Sequence, residues 1–318
     1  MHQLTARKNG FIEFAALGDR KEVWHGLGQY LPENQTIEQW QTAAGMDWEI
    51  MESNVRFQTA GGLITDTQNK VLYRSDSTDV LGIVSEEYHV VQPKEVLEFF
   101  REFTETNKMK LSAAGTLFGG KRFWATAEIG KNAFIVPGDE IKGQLLLVTS
   151  ADGSLSTQAK FTSTRTVCNN TLQVALRGQG SSVRKTHASA FDPKQFKVDL
   201  GLIDSSWDSF ITNLKGFAEK KVTDDFAADF FNKLVNPKNI DPTKLTVSRQ
   251  TDALMHFYKN GAGADFSYGT QWGVLNAVTE MATHGTGKRD ASHQFNNSEF
   301  GVGNSLKNSA LEQLLALA

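Results

Sequence analysis

Residues 110–163 read KLSAAGTLFGGKRFWATAEIGKNAFIVPGDEIKGQLLLVTSADGSLSTQAKFTS, a succession of β-prone runs cut by turn residues. Gly119 and Gly120 separate the first two runs, Pro137, Gly138 and Asp139 make the next break, and Ala151, Asp152 and Gly153 the third. Glycine tolerates positive φ, proline presets the first turn position and aspartate bonds its own backbone, so each cluster predicts a hairpin. LLLVTS at 145–150 is almost continuously apolar, as a strand covered on both faces requires. The stretch that follows, TRTVCNNTLQVALRG at 164–178, reads as a helix laid back across this meander and ended by Gly178. A meander with a helix on its face is an α+β arrangement.

Upstream, the same signals extend the sheet. TIEQWQTAAG at 36–45 opens with Thr36 and places Gln39 three residues later, a capping-box pattern that predicts a helix stopping at Gly45. WEIMESNVRF at 48–57 and KVLYRSD at 70–76 read as strands around a Gly61-Gly62 turn, and LGIVSEEYHVV at 81–91 as a bent strand or strand pair. Pro93 then begins a helix whose Val96, Phe99, Phe100 and Phe103 form one apolar stripe. The expected architecture is a central antiparallel β-sheet built mainly from 50–90 and 110–163, with helices packed on it.

Downstream, GQGSSVRKTHASAFDPK lacks periodicity, and 179–200 reads as a connector. Beyond it apolar residues recur at helical spacing, for example Trp207, Phe210, Ile211, Leu214 and Phe217. Further helical segments follow at 224–235, 243–261, 269–287 and 303–318, separated by Pro, Gly or Asn. The expected organisation is an α+β sheet domain over 1–178, the connector, and a helical C-terminal part over 201–318.

A chain of 318 residues that is 40% hydrophobic and 22% charged has globular composition, which excludes a largely disordered protein. The lone cysteine, Cys168, excludes an intramolecular disulfide and any multi-cysteine metal cluster. MHQLTARKNGFIEF lacks the apolar core of a secretory signal, and no run approaches eighteen apolar residues. The expectation is a cytoplasmic protein with no membrane association. Dinucleotide-binding, P-loop, zinc-protease and nucleophile-elbow motifs are absent, and His284 and His293 have no carboxylate that completes a ligand set. Asp224, Asp225 and Asp229 suit the first turn of a helix better than a cation site, because the helix dipole favours acids there. No catalytic residue, metal or cofactor is nominated, and the reading leans away from an enzyme.

The charge is uneven. The overall balance is −3, but residues 107–187 hold eleven Lys and Arg against four Asp and Glu, which leaves +7 there and −10 elsewhere. A basic middle between acidic flanks marks either a polyanion-binding face or the solvated faces of strands. Within this basic window the candidate nucleic-acid contacts are Lys121, Arg122, Lys142, Lys160, Arg165, Arg184 and Lys185. Turn and junction positions let such long side chains reach a backbone without burying charge. Phe123 and Trp124 beside Lys121 and Arg122 offer stacking faces or else alternate as core residues along a strand, and for Trp124 the core reading is preferred. Asn169 or Asn170 is expected to hydrogen-bond the sheet backbone.

WHGLG at 24–28, RSDSTDVLGIVSEEYHVVQ at 74–92, AAGTLFGGKRFWATAEIG at 113–130, RTVCNNTL at 165–172 and TQWGVLNAVTEM at 270–281 occur in a distinctive order. In that order the chain resembles a phage- and plasmid-borne family carrying domain of unknown function 932. The resemblance implies a mobile-element protein acting in the cytoplasm of a bacterial host. The order of strands, turns and basic residues over 110–178 is also similar, more distantly, to the core of single-strand annealing recombinases. That likeness implies single-stranded DNA as partner and a homo-oligomer, in recombination, annealing or replication support. The alternative is a protein-binding module acting on a host defence or regulatory factor.

Overall fold

The computed structural model describes residues 5–18, 28–106, 108–165, 171–173, 183–190, 192, 194–195, 207–236, 249–285 and 291–317. The protein is α+β, with its helices concentrated toward the C-terminus. Its strands are β1 (Phe14–Leu17), β2 (Gln29–Leu31), β3 (Ile50–Thr59), β4 (Gly62–Arg74), β5 (Val80–Ser85), β6 (Lys110–Leu117), β7 (Arg122–Val136), β8 (Asp139–Ser150), β9 (Thr157–Arg165), β10 (Thr171–Gln173) and β11 (Val183–Lys185). They form an eight-stranded sheet ordered β10-β9-β8-β7-β6-β1-β2, with β11 also on β9, and a separate three-stranded sheet ordered β3-β4-β5. The meander over 110–163 is therefore real, but the strands over 50–90 form a sheet of their own. Strand periodicity specifies which residues face a core and is silent on which strand pairs with which. One parallel pair, β1 with β2, also departs from the expected antiparallel pattern.

A second correction concerns 164–178. Arg165 ends β9, and Thr171–Gln173 pairs antiparallel with residues 162–164 as β10, so the described part of this segment is strand where a helix was expected. Thr164, Thr166, Val167 and Thr171 are β-branched, and their restricted χ1 favours a pleated surface over a helix. Cys168, Asn169 and Asn170 lie outside the described residues. Within the expected connector, Val183–Lys185 is a strand rather than loop.

The chain divides into two compact units. The first comprises Met1–Gly130, Gln144–Lys160 and Ser182–Leu202. Here helix α1 (Ile37–Ala43) carries the full capping box: Gln39 N donates to Thr36 Oγ1 and Thr36 N to Gln39 Oε1. Helix α2 (Pro93–Glu105) begins on its proline and buries Val96, Leu97, Phe99 and Phe100 against α1 and β6. Leu145, Leu146, Leu147 and Val148 of β8 are all buried, as expected for a strand covered on both faces.

The second unit comprises Lys131–Gly143, Phe161–Ser181 and Ile203–Ala318. Its helices are α3 (Trp207–Glu219), α4 (Asp224–Val235), α5 (Arg249–Asn260), α6 (Ala264–Ser267), α7 (Gln271–His284), α8 (Ala291–Phe300) and α9 (Val302–Ala316). Helix α7 is buried around almost its whole circumference, because α3, α5, α6, α8 and α9 all pack on it. QWGVLNAVTEMATH allows this: its small residues admit close neighbours, and two of its polar residues bond within the helix, Asn276 Nδ2 to the Trp272 carbonyl and Thr279 Oγ1 to the Asn276 carbonyl, both at 2.9 Å.

Candidate functional site

In the first unit, three chain segments bring cationic residues to one end of the larger sheet. The first is the β6–β7 turn. Phe118, Gly119 and Gly120 have φ of 56°, 72° and 91°, a left-handed run that reverses the chain within three residues. Gly120 has no room for a side chain, since a Cβ there would lie 2.8 Å from both Arg74 Nη1 and the Trp48 ring. The turn thus rests on a buried polar network. Arg74 Nη2 and Nη1 donate to the two oxygens of fully buried Glu13 at 2.5 and 3.1 Å. Arg7 Nε donates to the same carboxylate at 2.7 Å, and the Arg74 guanidinium lies 4.1 Å from the Trp48 ring centre. Lys121 and Arg122 leave this seated turn half-exposed.

The second segment is the β8–β9 turn. The Lys121 carbonyl accepts from Ala151 N at 2.8 Å, and Arg122 donates to Ser154 Oγ through Nε at 3.2 Å and Nη2 at 2.9 Å. The Arg122 guanidinium also lies 5.4 Å from the Phe118 ring centre. Partial burial holds Arg122 below the usual arginine value, and nearby Asp152 opposes that shift.

Strand β11 is the third segment. Its register pairs Lys185 with Thr157 and Arg184 with Gln158, so both cations sit beside the same turn. His187 fixes the strand there: its ring stacks on Tyr88 with centres 4.3 Å apart, Nδ1 faces the His89 carbonyl at 2.9 Å and Nε2 the Leu155 carbonyl at 3.2 Å. Tyr88 donates to the Ser150 carbonyl at 2.8 Å, and burial pushes its phenol up to about 12. Lys121, Arg122, Arg184 and Lys185 therefore lie at the end of the sheet that carries one turn, whose own acid is Asp152, with Arg184 and Lys185 on opposite faces as consecutive strand residues. Glu86 and Glu87 are the acids of the adjacent segment before Tyr88. Such an array of lysine and arginine at loop ends suits a run of phosphates.

The other nominated residues behave differently. Lys160 lies in mid-β9 and is only 2% exposed. Arg165 is 3% exposed and bidentate to Asp139, with Nε–Oδ1 2.6 Å and Nη2–Oδ2 2.5 Å; Trp272 Nε1 donates to the same carboxylate at 2.8 Å. The expectation that these two project from a strand-to-helix junction is corrected: both lie within β9, the next described residues, 171–173, are strand β10, and both side chains are buried. Lys142 is half-exposed on β8 in the second unit, as Arg165 is also of that unit, so neither is counted with the four. Phe123 and Trp124 are buried core residues rather than stacking faces.

Two of the three acids of α4 are engaged: Asp224 accepts from Tyr268 Oη at 2.8 Å and pairs with Lys259 at 2.6 Å, while Asp229 pairs with Lys233 at 2.6 Å. Among the described residues no group of three His, Cys, Asp or Glu is placed to hold a metal ion, and no helix is long and apolar enough to cross a membrane. Sequence reasoning missed Glu13, Ser154, Tyr88 and His187. Their roles come from contacts as distant as 61 residues for Glu13 and Arg74, and 98 for His89 and His187, which leave no local pattern.

The model of a family described as a domain of unknown function, DUF932, matches residues 80–300, from the first residue of β5 to the last of α8. No curated protein and no solved structure matches the chain.

Proposed function

The chain belongs to the DUF932 family, and from that footing we propose that it binds the sugar-phosphate backbone of nucleic acid, single-stranded DNA in particular. The setting we infer is recombination, annealing or replication of a phage or plasmid in a bacterial cytoplasm. The observation that carries this reading is the placement of Lys121, Arg122, Arg184 and Lys185 at the one end of the sheet that holds the turn at 151–156. Contacts to phosphate through long side chains on turns leave base edges exposed, which is what a protein that helps strands find their complement requires. Burial of Phe123 and Trp124 removes two stacking platforms, so the reading rests on charge and predicts little base preference.

The test is anisotropy of a labelled single-stranded oligonucleotide over a salt series. Neutralising all four cations to alanine should weaken binding uniformly across sequences. It should also flatten the slope of log affinity against log salt by about 3, at about 0.7 per phosphate contact for a single strand. Lys160→Ala is no part of this test, because its side chain is buried. Failure of the wild-type protein to bind at low salt overturns the reading and leaves the alternative, a module that docks on a host protein.

A further inference from the structure

We propose that Phe118 is a stacking platform for one base of a single-stranded nucleic acid, at the sheet end that carries Lys121 and Arg122. This deepens the nucleic-acid reading and rests on it, adding a contact to a base to the contacts with phosphate.

The backbone at Phe118 is in a conformation its residue type does not favour. Its φ is 56°, in the left-handed region where the Cβ of a bulky residue crowds a neighbouring carbonyl. Glycine takes this conformation without strain, and Gly119 and Gly120 meet the same demand at the next two positions, with φ of 72° and 91°. Gly120 is closed in by Trp48 and Arg74, so the turn is clamped two residues after Phe118. The core does not account for the ring either. Phe123 and Trp124 of the same hairpin are 0% and 2% exposed, whereas Phe118 is only half-buried. A turn that needed bulk for the core would bury it, and a turn that needed only the reversal would use glycine. A strained, part-exposed aromatic residue at a turn points to a ligand.

The surroundings say which ligand. The Arg122 guanidinium lies 5.4 Å from the Phe118 ring centre, and its bonds to Ser154 Oγ, at 3.2 and 2.9 Å, hold it there. An aromatic face with a planar guanidinium beside it is the pair of surfaces on which unpaired bases stack. Lys121 leaves the same turn half-exposed, so residues 118–122 hold a stacking face and two cations. A neutral apolar ligand has no use for the cations, and a simple polyanion has no use for the ring. A single strand uses both. Every base has a π-face, so this contact adds affinity with little base preference.

Anisotropy titrations of an oligothymidylate and of an abasic oligomer of equal length test this, because the two carry the same phosphates and differ in their bases. The wild-type chain should bind the oligothymidylate about fivefold or more tighter, the effect of one stacked base. Phe118→Leu keeps an apolar side chain without an aromatic face, and it should bring the two affinities together with abasic binding unchanged. Phe118→Trp should restore the gap, and its added indole emission should be quenched by the oligothymidylate and not by the abasic oligomer. If the leucine variant fails to fold, Phe118→Gly, which suits the left-handed backbone, replaces it. Equal wild-type affinity for the two oligomers overturns the proposal and leaves the phosphate reading standing. A gap that persists undiminished in the folded variant does the same. Failure of the wild-type chain to bind either oligomer at low salt overturns both.

Discussion

At the scale of single residues, the protein spends charge in its interior. Asp139 is fully buried and accepts from both Arg165 and Trp272, so its removal strands a guanidinium and an indole N–H away from water. Breaking such a pair costs about 3–5 kcal/mol. Asp139→Ala should lower the unfolding free energy in urea by that amount, and a loss under about 1 kcal/mol would show the pair to be solvated. Asp76 behaves differently because it is partly in water. Hydrogen bonds from Arg74 hold its carboxyl below the ordinary 3.8. A depressed carboxyl contributes stability that is present above the unfolded value and lost as pH falls through the folded one. Asp76→Asn should therefore cost about 1 kcal/mol or less near neutrality, with the difference from wild type shrinking below pH 3.8. A difference that grows on acidification would contradict this assignment.

At the scale of elements, sequence and structure agree where the controlling chemistry is local. Thr36 and Gln39 lie three residues apart, and their reciprocal bonds form within one turn. Pro93 opens α2 for the same reason: its fixed φ and missing N–H matter only to its own turn. The hairpins at 119–120 and 137–138 were equally legible from glycine and proline. What stayed hidden was pairing at a distance. Nothing near Ile50 announces that its sheet ends at β5, and nothing near Arg165 announces a carboxylate 26 residues upstream. Of the candidate site, the turn cations Lys121 and Arg122 were legible, whereas the burial of Lys160 depends on its neighbours across the sheet. Helix α7 shows the energetic side of such burial. Leu275 has no exposed surface, and Leu275→Ala should cost about 2–5 kcal/mol in chemical denaturation. A cost below 1 kcal/mol, small against the ordinary spread for core leucines, would mean that the surrounding helices close over the gap.

At the scale of the whole molecule, the net charge of −3 conceals the basic window, and only the fold sorts that window into cations that meet solvent and cations that hold the interior together. The order of the larger sheet has a further consequence in time. Ala15 of β1 pairs with Gln29 of the three-residue β2 on one edge and with Ala114 of β6 on the other, so that second edge waits for a partner about a hundred residues later. At roughly 5–20 residues per second of synthesis, that wait lasts about 5–20 s. Through most of it β1, with Phe14, Ala15 and Ala16, has only the three residues of β2 to pair with. A chaperone that holds nascent apolar segments has an opportunity on this protein at β1, and slowing translation between β2 and β6 should lengthen that engagement.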